Sequence, residues 1–354
     1  VSYALRATAA MAEARAAHTA TSLNDGNVLI LGGFKGAEAD LAGAELYDHR
    51  TGRFLPIAQP RLRRQSHTAT RLADGEVLIA GGMSEGQEYS DSAEVYDPLS
   101  GTFSAVGRMT MARSNHEAVL LDDGRVLLVG GVGGGWTFLA SAELYDPRTN
   151  SFTATGSMVE AREGHAAVKL ADGRVLVVGG HRGRGRETVI SRTVEIFDAA
   201  TGRFEPTGMM ATPRHKHDAV ALADGRVLVL GGADERDNKG VYDSVEVYDP
   251  VGGEFEASRP MLSGRYKHRG TSFPLVGGGV LLAGGAQRAE VYDPATGESQ
   301  EVVATARMAG QFSAAARLPD GRFLITGGYG QGRGPRADAW LIDPPPSGGN
   351  SKGR

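Results

Sequence analysis

"ARSNHEAVLLDDGRVLLVGG" occupies residues 112–131. Close copies stand at 13–33 ("EARAAHTATSLNDGNVLILGG"), 63–82 ("RRQSHTATRLADGEVLIAGG"), 161–180 and 213–232. Repetition on this scale announces a repeat architecture and is read before any local signal. The histidines that register the copies are His18, His67, His116, His165, His217 and His268, spaced by 49, 49, 49, 52 and 51 residues. A seventh copy, "GQFSAAARLPDGRFLITGG" (310–328), carries Ser313 where the histidine belongs. Six of the nine histidines therefore share one register.

Each segment of the phrase has its own reading. "HEAVLL" and "HTATSL" alternate as a strand with two unlike faces does. Asp-Gly follows at 25–26, 74–75, 123–124, 172–173, 224–225 and 320–321, and suits a two-residue hairpin turn that needs positive φ. The apolar run "VLLVGG" predicts a strand buried on both faces. Its two glycines mark a place where only a hydrogen fits or φ is unusual. After a variable, glycine-rich loop comes a third strand: "AELYD" (44–48, 142–146), "AEVYD" (93–97, 289–293), "VEIFD" (194–198) or "VEVYD" (245–249). A fourth strand is expected around Phe54, Phe103, Phe152, Phe204 and Phe255. No segment has a helical period, so each unit reads as four short antiparallel strands.

Arginine three before histidine, then Gly-Gly, Tyr-Asp and an aromatic residue, recurring about every 50 residues, resembles the kelch repeat. That resemblance implies an all-β, seven-bladed propeller with one four-stranded antiparallel blade per repeat. The usual kelch tryptophan of the last strand is phenylalanine here. The sixth unit departs further: "FPLVGGGVLLAGG" lacks Asp-Gly, and Ser299 stands near the aromatic position. In the seventh unit a third strand at 337–343 is followed by "PPPSGGNSKGR", which cannot pair as a strand. Met11 and Leu5 precede His18 by the offsets that Met109 and Phe103 have from His116. Residues 2–8 are therefore expected to form the outer strand of the last blade and close the ring, removing both free sheet edges. Residues 1–344 then make one domain, and 345–354 a flexible tail.

The 354 residues are 41% hydrophobic, carry a formal charge of −4 and include no cysteine. No basic patch stands out, which disfavours nucleic-acid partners. Without cysteine there are no disulfides, thiolate metal sites or cysteine nucleophile. The tyrosine–cysteine copper site of galactose oxidase, a kelch propeller, is excluded with them. No apolar run reaches membrane-span length. The start, "VSYALRATAAM", lacks the basic residues and long apolar stretch of a signal peptide. The compartment stays open between cytoplasmic and secreted after removal of a leader, and the chain is taken as a monomer.

The start of each first strand and the loop after Gly-Gly open on one face, commonly the binding face of kelch propellers. Arg15, Arg64, Arg113, Arg162, Arg214 and Arg265 would stand near its mouth, as packing residues or as ligand contacts. Repetition in every unit speaks for packing first. The residues just before each histidine differ from blade to blade: Gln65, Ser114 and Asn115, Glu163, His215 and Lys216, Tyr266 and Lys267, Gln311 and Phe312. The loops differ too, as in "GGWTF" (134–138) with Trp136. Varied polar and aromatic positions on a fixed scaffold suit recognition of a protein segment, glycan or small molecule at the channel mouth. The alternative is a metal-dependent enzyme of oxidase or lyase type, in which His18, His67, His116, His165, His217 and His268 converge on a divalent transition metal. Against it, the small residues Ala20, Ala69, Ala118, Ala167, Ala219 and Gly270 share the histidines' strand face, which predicts packing against the next blade. No catalytic residue can be named, because each candidate recurs as scaffold.

Overall fold

The computed structural model describes residues 2–36, 41–236, 239–330 and 334–346, so most of the expected tail, 347–354, lies outside the described residues. Seven four-stranded units stand in chain order around a central channel. Blade three sets the pattern: Glu117–Leu120, Val126–Val129, Ala142–Asp146 and Ser151–Ala154 pair antiparallel in sequence order. Blade seven departs from sequence order only at its rim. Ala314–Arg317, Phe323–Thr326 and Ala339–Asp343 pair in turn, and Ala4–Ala7 adds antiparallel to the last of them, with Leu5 opposite Ile342. The N-terminal strand thus completes the last blade. Val303–Ala304 lies parallel on its outer edge.

No blade has a core of its own. The second strand is wholly buried in every blade, as the continuous apolar runs predict; Val126, Leu127, Leu128 and Val129 are each 0% exposed. These side chains point alternately to the two neighbouring blades, so buried apolar residues gather in seven clusters, one per blade-to-blade junction. Between blades two and three, Leu78 and Ala80 meet Met109, Val126, Leu128 and Tyr145. Each sheet needs its neighbours to bury both faces, so closure of the ring stabilises all seven together.

The Asp-Gly turns differ from expectation. Leu23 N–H donates to the Asn27 carbonyl (2.8 Å) and Gly26 N–H to the Leu23 carbonyl (3.1 Å), so Asn24–Gly26 is a three-residue loop, not a two-residue one. Gly26 has φ +89°, where the residue closing such a loop sits left-handed. The Asp25 carboxylate accepts the Asn27 N–H at 2.9 Å, which explains the aspartate before the glycine.

The double glycines have a tertiary cause. A Cβ on Gly130 would lie 2.6 Å from the ring of His165, the histidine of the following blade. A Cβ on Gly131 would meet the Cβ of His116 in its own blade at 2.9 Å. One glycine thus admits the neighbour's imidazole, and the other the Ser114 carbonyl and the His116 Cβ of its own blade. Gly131 N–H also donates to the Arg162 carbonyl of the next blade (2.8 Å). The equivalent bond recurs at all seven junctions, including Gly285 to Gly310 and Gly328 to Arg15.

Candidate functional site at the channel mouth

The six arginines do not stand at the mouth. All are 0% exposed. Each guanidinium lies inside its own blade and joins the segment entering the first strand to the glutamate of the third. Arg113 Nη1 donates to the carbonyls of Gly130 (2.8 Å) and Ser141 (3.1 Å), and Nη2 to Glu143 Oε1 (2.9 Å). The Glu143 carboxylate also accepts the backbone N–H of Thr110 and Met111. Glu45, Glu94, Glu195, Glu246 and Glu290 serve Arg15, Arg64, Arg162, Arg214 and Arg265 in the same way. A buried guanidinium persists only when paired and hydrogen-bonded, and these are. The glutamate of each "AELYD" motif is the partner that reading from sequence missed.

The six registered histidines are also buried, at 0–7% exposure. They face the preceding blade, not the next. His67 Nε2 bonds Thr19 Oγ1 (3.0 Å), His116 Nε2 bonds Thr68 Oγ1 (2.9 Å), and His18 Nε2 bonds Thr326 Oγ1 (2.8 Å). The alanines two positions on face the same way, Ala118 packing into the blade two–three cluster, whereas Gly270 lies in a turn ahead of its strand, Ser272–Pro274, and not on that face. Burial pushes the imidazole pKa of each histidine below its usual range, aided by the nearby arginine, and in His268 down to about 3. They are neutral spacers between blades. Among the described residues, no group of three or more histidine, aspartate or glutamate side chains is arranged to hold a metal ion.

The mouth is made by the residue immediately before each histidine. Ala17, Ser66, Asn115, Lys216, Lys267 and Phe312 all have φ between +51° and +54°, and Gly164 has +60°. Six non-glycine residues in the left-handed region, one per blade, are a repeated departure from ordinary backbone. Backbone hydrogen bonds join these positions round most of the channel, with a gap between Asn115 and Gly164. Ser66 N–H donates to Ala17 (3.0 Å), Asn115 to Ser66 (3.0 Å), Lys216 to Gly164 (2.6 Å), Lys267 to Lys216 (3.0 Å), Phe312 to Lys267 (2.9 Å) and Ala17 to Phe312 (3.1 Å). This hoop fixes the positions from which six side chains of five kinds, and Gly164, line the opening.

Residues one place earlier lie behind the hoop. Gln65, Ser114, Glu163, His215 and Tyr266 are 0–6% exposed. All but Tyr266 bridge to the residue after Gly-Gly, as Glu163 does to His181, and as Gln311 does to Tyr329. His215 Nδ1 lies 3.1 Å from His181 Nδ1. Tyr266 reaches the mouth through its hydroxyl, which accepts from Lys216 Nζ at 3.1 Å. Lys267 Nζ donates to Tyr329 Oη (2.8 Å), with Tyr266, Phe312 and Tyr329 ring centroids 4.9–5.5 Å away. Trp136, 45% exposed and at φ +61°, stands further out with the Arg184 guanidinium 3.2 Å above its ring. Arg184 belongs to the loop "HRGRGRET" (181–188), and Arg236, in the corresponding loop of the next blade, pairs with Asp234 of its own loop.

Arg269 is the channel residue that sequence reading passed over. It crosses the channel from blade six to blade three, where Nη1 donates to the His116 carbonyl (2.7 Å) and Glu117 Oε1 (3.1 Å). Its signal was legible in spacing. Eight residues separate the registered position from the turn glycine in the other blades, as from His217 to Gly225, but ten separate His268 from Gly278. The two extra residues form a tight turn, with Thr271 N–H donating to the His268 carbonyl and Gly270 at φ +69°. The first strand of blade six consequently starts late, at Ser272–Pro274. Asp218 of blade five accepts the backbone N–H of Gly270, Thr271 and Ser272 at 3.0–3.1 Å and secures the turn. Burial pushes the Glu117 carboxyl up to about 7, against the pull of Arg269.

The Kelch motif family model matches residues 66–110 and 112–159, which fall on blades two and three. Kelch-like protein 38 of Rattus norvegicus is 32% identical over 91 residues, covering 25% of this chain and 16% of that protein. The match thus spans less than a fifth of that relative's length. Among solved structures, a fungal alcohol oxidase of the AA5 family in complex with copper superposes with a TM-score of 0.75. That likeness covers 96% of this chain and 76% of the oxidase at 18% identity, and is a likeness of fold alone.

Proposed function

From the premise that this chain is a kelch-repeat β-propeller, we propose that it is a binding module whose mouth face grips a segment of a protein partner. One observation carries the reading: five kinds of side chain, those of Ala17, Ser66, Asn115, Lys216, Lys267 and Phe312, stand with the bare Gly164 on one hoop of positive φ. Holding six non-glycine residues left-handed is unfavourable, and such backbone strain clusters at ligand sites. The frame below, from the buried arginines to the glycines, repeats; the hoop varies. The space at the mouth is about 90 Å³. Sites that engulf a whole small molecule run to roughly 300–1,000 Å³. An open face that admits one side chain into a shallow cup fits that size.

The test is capture by the immobilised chain, followed by affinity measurement with the purified partner. Phe312→Ala combined with Trp136→Ala should abolish binding. Lys169→Gln, at the far end of a first strand, should leave it intact. Equal binding by all three proteins would refute recognition at the mouth.

A further inference from the structure

The geometry points to a carboxylate clamp on the mouth face: the Arg184 guanidinium, laid flat on the indole of Trp136, receives an aspartate or glutamate side chain of the bound protein segment. The inference rests on the mouth being the binding face and names one feature of what binds there.

The mouth loops of blades two, three and four lie wholly within the described residues and share one fold. Each makes a single tight turn, at Glu85–Gln87, Gly134–Trp136 and Gly185–Glu187. The fifth residue after Gly-Gly is left-handed in all three: Gln87 at φ +61°, Trp136 at +61° and Gly185 at +56°. Blade four fills that slot with the residue that suits it. Blade three puts an exposed tryptophan there, in a conformation that bulky side chains rarely adopt. Strain of this kind persists where the surroundings hold a side chain in one place. Two neighbours do so here. Tyr89 of blade two meets the indole nearly at right angles, with ring centroids 6.2 Å apart. Arg184 of blade four lies 3.2 Å above the centre of its ring.

Arg184 is presented by its own loop. The chain bends on either side of it, at Gly183 (φ +77°) and Gly185, and a Cβ on Gly183 would strike the Glu187 carbonyl. Among the described residues, the Arg184 side chain makes no hydrogen bond and no ion pair. Its sequence explains why. Arg125, Arg174, Arg226 and Arg236 each pair with an aspartate two residues earlier, whereas Arg182, of like charge, stands two residues before Arg184. Glu163 lies near enough to feel the charge of Arg184, but it is 6% exposed and sits behind the hoop.

Stacking occupies the flat face of a guanidinium and leaves its five in-plane N–H donors available. The planar fork matches a carboxylate through two parallel N–H···O bonds. Because the indole already sets the plane, little further freedom is lost when the carboxylate arrives. The single charge of one guanidinium balances that of one carboxylate.

The experiment is to pan a phage-displayed library of random peptides against the immobilised chain and to measure the affinity of the enriched peptides as synthetic ones. Enriched peptides are expected to carry an aspartate or glutamate. Its replacement by asparagine or glutamine should weaken binding about tenfold, the loss of one charge-assisted bond. Against Arg184→Gln the acidic peptide and its amide counterpart should bind equally, a coupling that a merely structural role for Arg184 would not produce. Arg184→Lys, which keeps the charge and loses the fork, should recover only part of the difference. Arg184→Glu should enrich basic residues in place of acidic ones, and Lys169→Gln should select as the unaltered chain does. A preference for acidic residues that persists in Arg184→Gln overturns the clamp, as do bound peptides without an acidic residue. If such peptides are nonetheless lost in Phe312→Ala, recognition at the mouth stands and only the clamp falls. If no peptide is enriched, the clamp falls as well, and partner capture with the Phe312 and Trp136 variants decides the mouth by itself.

Discussion

In blade three the entry to the first strand is tied to the third strand by Arg113 and Glu143, 2.9 Å apart and 0–1% exposed. In blade seven the same two positions hold Gly310 and Trp340, and the tryptophan packs with Met308 in an apolar cluster. The loss is coordinated: blade seven keeps neither half of the ion pair. This is what the energetics of buried charge demand. Exchanging a buried pair for well-packed apolar groups can be neutral, whereas removing one partner strands the other. The backbone bond that joins blades at this point survives the exchange, since Gly285 donates to Gly310 at 2.9 Å as Gly82 donates to Arg113 at 2.8 Å. The inter-blade seam is therefore a property of the backbone, and the ion pair is a fastening within the blade.

The sharpest way to break that comparison is to give each blade half of the other's solution. Glu143→Leu leaves Arg113 buried and unpaired, and Trp340→Glu buries a carboxylate opposite a glycine. Each should cost about 3–5 kcal/mol, read as a drop in denaturant midpoint. A loss of only about 0.5 kcal/mol, as for a surface substitution, would mean the pairs do not hold the blades.

A second contrast separates backbone strain from crowding. Gly101 has φ +69° and nothing within 4 Å of its missing Cβ. Gly130 has φ +65°, with the His165 ring at 2.6 Å and the Arg162 carbonyl at 2.8 Å from that point. Gly101→Ala should cost about 1–2 kcal/mol, the strain of a left-handed alanine. Gly130→Ala should add about 1–3 kcal/mol for overpacking. Equal losses would show that the double glycine answers to φ alone and not to the neighbour's histidine.

Much of this was legible in the sequence. The strands, the glycines and the completion of the last blade by Ala4–Ala7 follow from period and offset, which are local or counted quantities. The direction in which the histidines face was not, because a strand's alternation says which residues share a face and not which neighbour that face meets. The burial of the arginines was equally hidden. Arg113 and Glu143 are 30 residues apart, and only the four-stranded register brings them together. Arg269 could have been found, since its two-residue insertion is a matter of counting. The hoop could not, because alanine, serine, asparagine, lysine and phenylalanine share no preference for positive φ.

The histidines give the comparison a pH dependence. In the unfolded chain they take up protons near pH 6.5. In the folded chain burial holds their pKa values lower, in His268 at about 3. Their contribution to stability is complete above pH 6.5 and is lost as pH falls from there through the folded values, by up to about 1.4 kcal/mol per pH unit for each histidine. Six blades contribute and blade seven, with Ser313, does not. His165→Gln should reduce the slope of stability against pH by about one proton between pH 6.5 and 5. An unchanged slope would show that the imidazole is accessible to protonation in the folded state.

The smallest expected effect concerns how each imidazole is satisfied. Thr68 Oγ1 bonds His116 Nε2 at 2.9 Å, whereas the equivalent residue facing His217 is Ala166, and neither nitrogen of His217 has a hydrogen-bond partner. Thr68→Val keeps the side-chain shape and removes the hydroxyl, turning the blade two–three junction into a copy of the blade four–five junction. The loss should be about 1 kcal/mol, the net worth of one buried neutral hydrogen bond, and should appear as a small shift in denaturant midpoint with no change in slope. A loss several times larger would mean that the threonine orients the ring, and that His217 is held by packing that His116 lacks. No loss at all would mean that the glycine pocket alone positions every histidine, and that the hydroxyls at Thr19 and Thr68 are incidental to the seam.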